Sequence, residues 1–152
     1  MEPPEEELAV LSALIPRLAG AFRRFMARDL AGYGLTPPQF MALMALDSAA
    51  GCTRMGILAE EARQSSAAMT GIVDRLCERG LVERRRDPAD RRSVVVRLTA
   101  SGEQLLRRIH EERQERVREF LLRLSPEQRR GLREVMEALI HALESAPLGE
   151  CA

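Results

Sequence analysis

The 152-residue chain has no lysine and no tryptophan, and its aromatic residues are one tyrosine and four phenylalanines. Because rings are so few, the core must pack through aliphatic side chains and methionine. No apolar run approaches the ~20 residues that a membrane-spanning helix requires. The acidic N-terminus lacks the basic start and apolar stretch of a secretory signal. We therefore expect a cytoplasmic protein with no membrane segment.

Cysteine and histidine are also scarce. The three cysteines, Cys52, Cys77 and Cys151, are odd in number and scattered, so they do not suggest a disulfide framework. His110 and His141 lie far apart and near no cysteine pair, so no zinc-ligand spacing appears. A Gly-rich phosphate loop, a nucleophile elbow and a Cys/His dyad are missing as well. We expect no enzyme activity, no cofactor and no metal site.

Positive charge is concentrated in one short segment of a chain whose formal net charge is zero. Residues 84–97 hold six arginines and two aspartates, which gives a local charge of +4. The rest of the chain holds 17 arginines and 21 acidic residues, which gives −4. A protein with one basic edge can bind a polyanion through that edge alone.

Apolar spacing predicts a single, mainly α-helical domain over residues 1–152 with one small β-hairpin. A stripe of apolar residues at spacings of three and four predicts a long helix over residues 5–31, with a local kink or lost hydrogen bond at Pro16. Thr36 and Gln39 form a capping-box pattern that begins a second helix. Two C-terminal helices follow the hairpin, within residues 103–145.

Between these terminal helices, residues 36–102 fit a winged helix-turn-helix module, clearest over residues 53–102. Thr53 is expected to cap a short third helix, and Ser65 or Ser66 to cap a fourth that ends at Gly80. A polar turn separates two predicted strands, at residues 81–84 and 94–98. Inward positions are predicted for several apolar side chains of these helices, among them Phe40, Met44, Ile57, Leu58, Met69, Ile72, Val73 and Leu76.

The fourth helix leaves small and polar side chains on its outer face, at Ala67, Thr70, Gly71, Asp74 and Arg75. Such a face can lie close to base edges in the major groove of DNA. At the helix start, Ser65 and Ser66 can meet phosphate. The helix therefore suits double-stranded DNA.

The hairpin tip supplies a second contact to DNA. Arg91 and Arg92 are placed to enter a narrow, electronegative minor groove. Asp90 suits DNA poorly, so we expect it to brace the wing by holding an arginine such as Arg75 or Arg92. An alternative of another class, a winged module that binds protein, would favour apolar residues at this tip.

The chain resembles the MarR (multiple-antibiotic-resistance regulator) family. The most specific match is Asp90, a gap, Arg92, five residues and then Leu98-Thr99, and other matching runs lie at residues 58–62, 70–76, 79–84, 87–92 and 98–102. The resemblance implies a homodimeric repressor or activator on a pseudo-palindromic operator, dimerised through helices at about 5–31 and 103–145. It also implies that Arg92 is the minor-groove arginine and Asp90 the brace, and that a small phenolic or lipophilic ligand relieves DNA binding.

Two positions depart from the family pattern. Gly71 stands where the family often has a bulky or basic residue, and Arg63 stands where it often has glycine. Because the fourth helix has few long hydrogen-bonding side chains, specificity is expected to depend on thymine-methyl contacts from Ala67 or Ala68 and on DNA shape.

How the protein senses a signal stays open between two alternatives. A small-molecule effector could occupy a cavity between the terminal helices and the winged module, lined by Phe22, Arg23, Met26, Tyr33, Phe40 and Met44. Alternatively, oxidation of Cys52, which precedes the helix-turn-helix, or of Cys77, which follows the DNA-facing stretch, could move the DNA-contacting helix.

Overall fold

A computed structural model describes residues 4–90 and 92–145. These residues form helices and strands in the order α1 (Glu5–Ala31), α2 (Pro37–Ser48), β1 (Cys52–Arg54), α3 (Met55–Glu61), α4 (Ser66–Glu78), β2 (Val82–Arg86), β3 (Val94–Leu98), α5 (Ala100–Leu122) and α6 (Pro126–Ser145). The chain divides into two compact units, one up to Leu106 and one from Arg107 on, with the boundary inside α5. The predicted fold class, mainly helical with a small β wing, is confirmed.

Local capping signals place most of the helix starts in the first unit. Thr36 accepts a hydrogen bond from the Gln39 backbone N–H at 3.5 Å, and the Gln39 side chain accepts one from the Thr36 N–H at 2.9 Å. This is the predicted capping box, and it begins α2. Helix α1 extends across Pro16 without interruption, as one element over the predicted range.

Strand β1 was not predicted from the sequence. Cys52–Arg54 pairs antiparallel with β3, with Thr53 opposite Val96, so the sheet has three strands in the order β1-β3-β2. Thr53 is therefore a strand residue, and the prediction that it caps α3 is wrong. Arg54 occupies the N-cap of α3, and no side-chain hydrogen bond caps this helix.

The turn between α3 and α4 has an unusual backbone conformation at Arg63, where φ is 52°. This left-handed region costs a residue with a Cβ about 1–2 kcal/mol and favours glycine. At this position, where the family often has glycine, glycine would be less strained than the arginine that is present. After this turn, Ser65 caps α4 by accepting the Ala68 N–H at 3.2 Å.

The core of the first unit lies where α2, α3 and α4 meet the sheet. Met69, Val73 and Leu76 of α4 are fully buried, as predicted, together with Leu43, Leu46, Leu58 and Val96. Two inward assignments were wrong, because Met44 is 40% exposed and Ile57 is 47% exposed. Met44 follows the buried Leu43, and Ile57 precedes the buried Leu58. Because successive side chains of a helix differ in direction by about 100°, both point away from the core.

The second unit contains the rest of α5 and all of α6. Ser125 and Gln128 form a capping box at the start of α6, with hydrogen bonds of 2.9 and 3.2 Å. No α6 residue is buried. Among the helices over residues 4–90 and 92–145, none is both long and apolar enough to cross a membrane.

Candidate nucleic-acid interface

Helix α4 exposes the face that the sequence assigns to DNA. Its apolar face is closed against the core, whereas the small and polar side chains of the other face are all exposed, at Ala67, Thr70, Gly71, Asp74 and Arg75. A Cβ added at Gly71 would meet no atom within 4 Å, so the backbone here is open to a close approach. The exposed strip therefore has the shape that a groove of DNA requires.

The start of α4 has hydroxyl groups whose hydrogen bonds are partly used. Ser65 Oγ accepts the Ala68 N–H, which leaves its own hydroxyl hydrogen available as a donor. Ser66 is exposed beside it, and its carbonyl accepts the Thr70 hydroxyl at 2.9 Å. Thr70 therefore keeps its oxygen lone pairs free as acceptors, while Ser65 keeps a donor for an anion.

Asp87 holds the base of the wing loop, which connects β2 to β3. One carboxylate oxygen accepts the Arg54 Nε–H at 2.9 Å, and the other accepts the Ala89 N–H at 2.9 Å. The Ala89 hydrogen bond and then the Arg54 guanidinium hold the pKa of Asp87 below its ordinary value, against the opposing effect of burial. Arg54, at the end of β1, thus ties the wing loop to the helix-turn-helix.

Asp90 holds the tip of the wing by a different route from the one expected. Its carboxylate accepts the Arg92 backbone N–H at 3.0 Å and the Ser93 hydroxyl at 2.7 Å. Within the described residues, its hydrogen bonds are therefore to the turn and not to an arginine guanidinium. The exposed Arg92 is fixed through its backbone, whereas Arg91 lies outside the described residues.

The two wing carboxylates are expected to report their hydrogen bonds in an NMR titration. The pKa of each lies below the ordinary 3.8. A depressed folded-state pKa stabilises the turn fully above the unfolded value, and this contribution is lost as pH falls through the folded value. The Ala89 amide, bonded to Asp87, and the Arg92 amide, bonded to Asp90, should therefore shift with midpoints below pH 3.8. Midpoints at or above 3.8 would contradict the turn geometry.

Arg84 connects the wing to α4. From β2, its Nη1 lies 2.5 Å from the Asp74 carboxylate, and its Nη2 donates to the Thr70 carbonyl at 2.9 Å. Arg85 pairs with Glu83 of the same strand at 2.9 Å. Two charges of the basic segment are therefore balanced locally. In the part of the chain that the structure describes, Arg75 and Arg92 have no ion-pair partner and keep their charges for a polyanion.

Arg79 connects the end of α4 to the loop after α1. Its guanidinium donates to the Gly34 carbonyl at 2.5 Å and to the Tyr33 carbonyl at 2.9 Å. This contact and those of Arg54 and Arg84 were not predicted from the sequence, because each joins residues that are distant along the chain. Arg54 and Arg79 lie at the ends of β1 and α4, whereas Arg84 lies in the middle of β2, so the three share no local signal.

Comparison with known proteins agrees with this geometry. The family model described as MarR family matches residues 33–93. The chain is 35% identical over 112 residues to YfiV of Bacillus subtilis (strain 168), named as an HTH-type transcriptional regulator, with coverage of 74% of this chain and 69% of that protein. The chain belongs to the MarR family of transcriptional regulators.

Two solved structures extend the similarity beyond the winged module. A MarR family protein from Bacillus stearothermophilus superimposes with a TM-score of 0.79 at 28% identity, covering 95% of this chain and 100% of the other. A mutant of MarR from E. coli, solved in complex with operator DNA, gives 0.65 at 25% identity, covering 91% and 99%. As a MarR-family regulator, the protein is not an enzyme.

The residues predicted to line an effector pocket in this MarR-family regulator have different environments. Phe40 is buried in the core, whereas Phe22 is 59% exposed on α1. Met44 is exposed, Arg23 is exposed, and Met26 and Tyr33 are half-buried. A groove of about 720 Å³ along α1 is lined by none of the six. Their common role in binding an effector stays a prediction.

The two described cysteines differ in accessibility. Cys52 is exposed on β1, and Cys77 is half-buried on α4. Burial raises the pKa of the Cys77 thiol, although the nearby Arg84 opposes the shift. A thiol with a raised pKa is mostly protonated near neutral pH and reacts slowly with oxidants. This environment favours an inert Cys77 over a redox sensor.

We expect iodoacetamide at pH 8 to alkylate Cys52 several-fold faster than Cys77 in the folded regulator. Thiolate is the reactive form, and Cys77 combines a raised pKa with partial burial. Peptide mass spectrometry over a time course separates the two sites, and the same reaction in denaturant is the control that should equalise their rates. Faster modification of Cys77 would support the redox alternative.

Proposed function

We propose that this regulator binds double-stranded operator DNA as a homodimer, with α4 in the major groove and the wing tip at the minor groove. The observation that carries the proposal is the pairing of an open, small-residue face on α4 with a wing on which Arg92 has no ion-pair partner among the described residues. A mutant of MarR from E. coli, solved in complex with operator DNA, supports the DNA-binding part of the proposal. Ser65, Ser66 and Arg75 are the proposed phosphate contacts, and Arg91 is the proposed second wing contact.

The terminal helices support the dimer. Over residues 4–90 and 92–145, α1 and α6 each expose a long stripe of large apolar side chains, which a soluble monomer rarely leaves in contact with water. A two-fold dimer would cover such stripes and place two winged modules about one helical turn of DNA apart. We therefore propose a pseudo-palindromic operator with two half-sites.

Repression is the simplest regulatory outcome of this proposal, because a dimer that covers an operator excludes other proteins from the same DNA. Relief by a small phenolic or lipophilic ligand is the accompanying proposal, which follows from the family resemblance. In vitro transcription from a promoter that contains the selected operator distinguishes repression from activation.

Arg92→Ala is expected to weaken operator binding about tenfold, which corresponds to about 1.4 kcal/mol. The slope of log affinity against log salt is negative, and each lost phosphate-region contact reduces its magnitude by about 0.9. A dimer loses two such contacts, so the magnitude of its slope should fall by about 2. The operator is first selected from a random DNA pool, and affinity is then measured by fluorescence anisotropy across a salt series.

Arg108→Ala is the matched control for Arg92→Ala. Arg108 is an exposed α5 arginine that pairs with Glu112 on the same helix. The control should leave affinity and salt slope close to those of the unmodified protein. Equal behaviour of the two variants would remove the wing from the interface, and failure to select any DNA would overturn the proposed function.

A further inference from the structure

The contact between β2 and α4 has a feature that DNA binding alone does not explain. Asp74 places a carboxylate on the exposed face of α4, the face proposed to meet DNA, and its side chain is 50% exposed. A negative charge on such a face repels phosphate and by itself lowers the affinity for DNA. The guanidinium of its partner, Arg84, is bound to the Asp74 carboxylate and the Thr70 carbonyl of α4. Arg84 therefore does not offer an unpaired charge to DNA.

We propose that Asp74 and Arg84 are positioning residues, which hold the wing and the DNA-contacting helix α4 in the one relative orientation that lets both meet the same operator. This inference rests on the proposed function and deepens it. It assigns a role in DNA binding to two residues that need not contact DNA.

The geometry of the contact suits this role. Arg84 binds α4 at two points one helical turn apart, the Asp74 carboxylate and the Thr70 carbonyl. A planar guanidinium with two separate acceptors fixes direction as well as distance. Because Thr70 and Asp74 lie on α4 and Arg84 lies on a wing strand, the contact spans the two DNA-contacting elements directly.

The Asp74→Ala variant separates positioning from simple electrostatics, because the two make opposite predictions. Removing two negative charges per dimer from the DNA face should tighten binding if Asp74 acts only through its charge. We expect the reverse, a three- to tenfold weaker affinity for the selected operator. Glu83→Ala is the matched control, since this carboxylate lies on β2 and pairs with Arg85 of the same strand. The control should bind as tightly as the unmodified protein or more tightly.

The Asp74→Asn variant keeps an oxygen acceptor in the place of the carboxylate. It is therefore expected to recover part of the affinity lost by Asp74→Ala. Unchanged or tighter binding by Asp74→Ala, with circular dichroism showing an equally folded protein, would overturn the inference.

Arg84→Gln tests the other half of the contact. We expect weaker operator binding with an unchanged salt slope, because a positioning residue neutralises no phosphate. A slope reduced by about 2 per dimer would identify Arg84 as a phosphate contact and overturn the inference. The double variant Asp74→Ala/Arg84→Gln should bind no more weakly than the weaker single variant, since both remove one shared interaction.

Hydrogen exchange on the full-length protein without DNA makes the test independent of the proposed function. Asp74→Ala and Arg84→Gln are each expected to raise amide exchange several-fold in β2 and in the α4 turn from Thr70 to Asp74. Glu83→Ala should leave the exchange in both segments unchanged. Unchanged exchange would overturn the inference even if the protein binds its operator. Raised exchange in a protein that selects no DNA would overturn the proposed function and the positioning role in DNA binding, and would leave only a structural contact.

Discussion

The Gly102→Ala variant is expected to lose about 3 kcal/mol of unfolding free energy, near the upper end of what added atoms cost in a packed site. Gly102 is buried in the first turn of α5, and a Cβ added there would lie 2.2 Å from the carbonyl oxygen of Leu81. That oxygen belongs to the backbone and already accepts the Thr99 N–H at 3.1 Å. It cannot move away without breaking the junction between α5 and the wing.

The sign of this prediction is its most informative part, because glycine to alanine in a helix ordinarily stabilises by up to about 1 kcal/mol. Gly71→Ala is the matched control, since Gly71 lies inside α4 and a Cβ there meets nothing within 4 Å. It should raise the midpoint of thermal unfolding slightly, whereas Gly102→Ala should lower it by roughly 6–12 °C. Both are compared at one protein concentration, because the proposed dimerisation would make the midpoint depend on concentration. Equal midpoints for the two variants would show that Leu81 yields to the added methyl group.

The junction at Gly102 also explains part of the sequence pattern in physical terms. Thr99 caps α5 by accepting the Gly102 N–H at 3.1 Å, and its hydroxyl donates to the Gly80 carbonyl at 2.6 Å. The run from Leu98 to Gly102, which carried part of the family resemblance, therefore fastens α5 to the end of α4 and the start of β2. The hydrogen bond to the Gly102 N–H joins residues three positions apart, whereas the hydrogen bond to the Gly80 carbonyl requires the fold.

Features set by neighbouring residues were predictable, and features set by distant residues were not. The capping boxes at Thr36 and Ser125 and the buried stripe of α4 follow from spacings of three and four residues, which the sequence displays directly. Strand β1 has only three residues and is defined by its pairing with β3, more than forty positions later. No local pattern marks such a strand.

The candidate interface shows the same division. The exposed face of α4 follows from helical periodicity once the buried face is known. The wing contacts do not, because the acidic partner of an arginine depends on which elements pack together. Asp90 was expected to hold an arginine and instead caps a turn, while Asp74, expected only to face outward, pairs with Arg84. Among the described arginines of residues 84–97, the charge that remains unpaired is thus less than composition suggests.

The second large effect is expected at the terminal helices. Leu18 on α1 is 71% exposed, and Leu139 on α6 is 46% exposed. Each lies in a stripe of exposed large side chains that includes, on α1, Leu11, Leu14, Ile15, Phe22 and Phe25, and on α6, Val135, Met136, Ile140 and Leu143. If these stripes meet a second copy of the chain, an arginine at either position would bring a charge into an apolar interface.

We therefore expect Leu18→Arg and Leu139→Arg each to convert the protein from a dimer to a monomer of 17.0 kDa by light scattering. Operator affinity should fall at least about 100-fold, or about 2.8 kcal/mol, because a monomer engages one half-site without the second. Met41→Arg is the control, since Met41 is 48% exposed on α2, outside both stripes. It should remain dimeric. A variant that is monomeric yet binds the full operator with unchanged affinity would contradict the two-fold proposal, whereas a dimer that persists in Leu18→Arg alone would restrict the interface to α6.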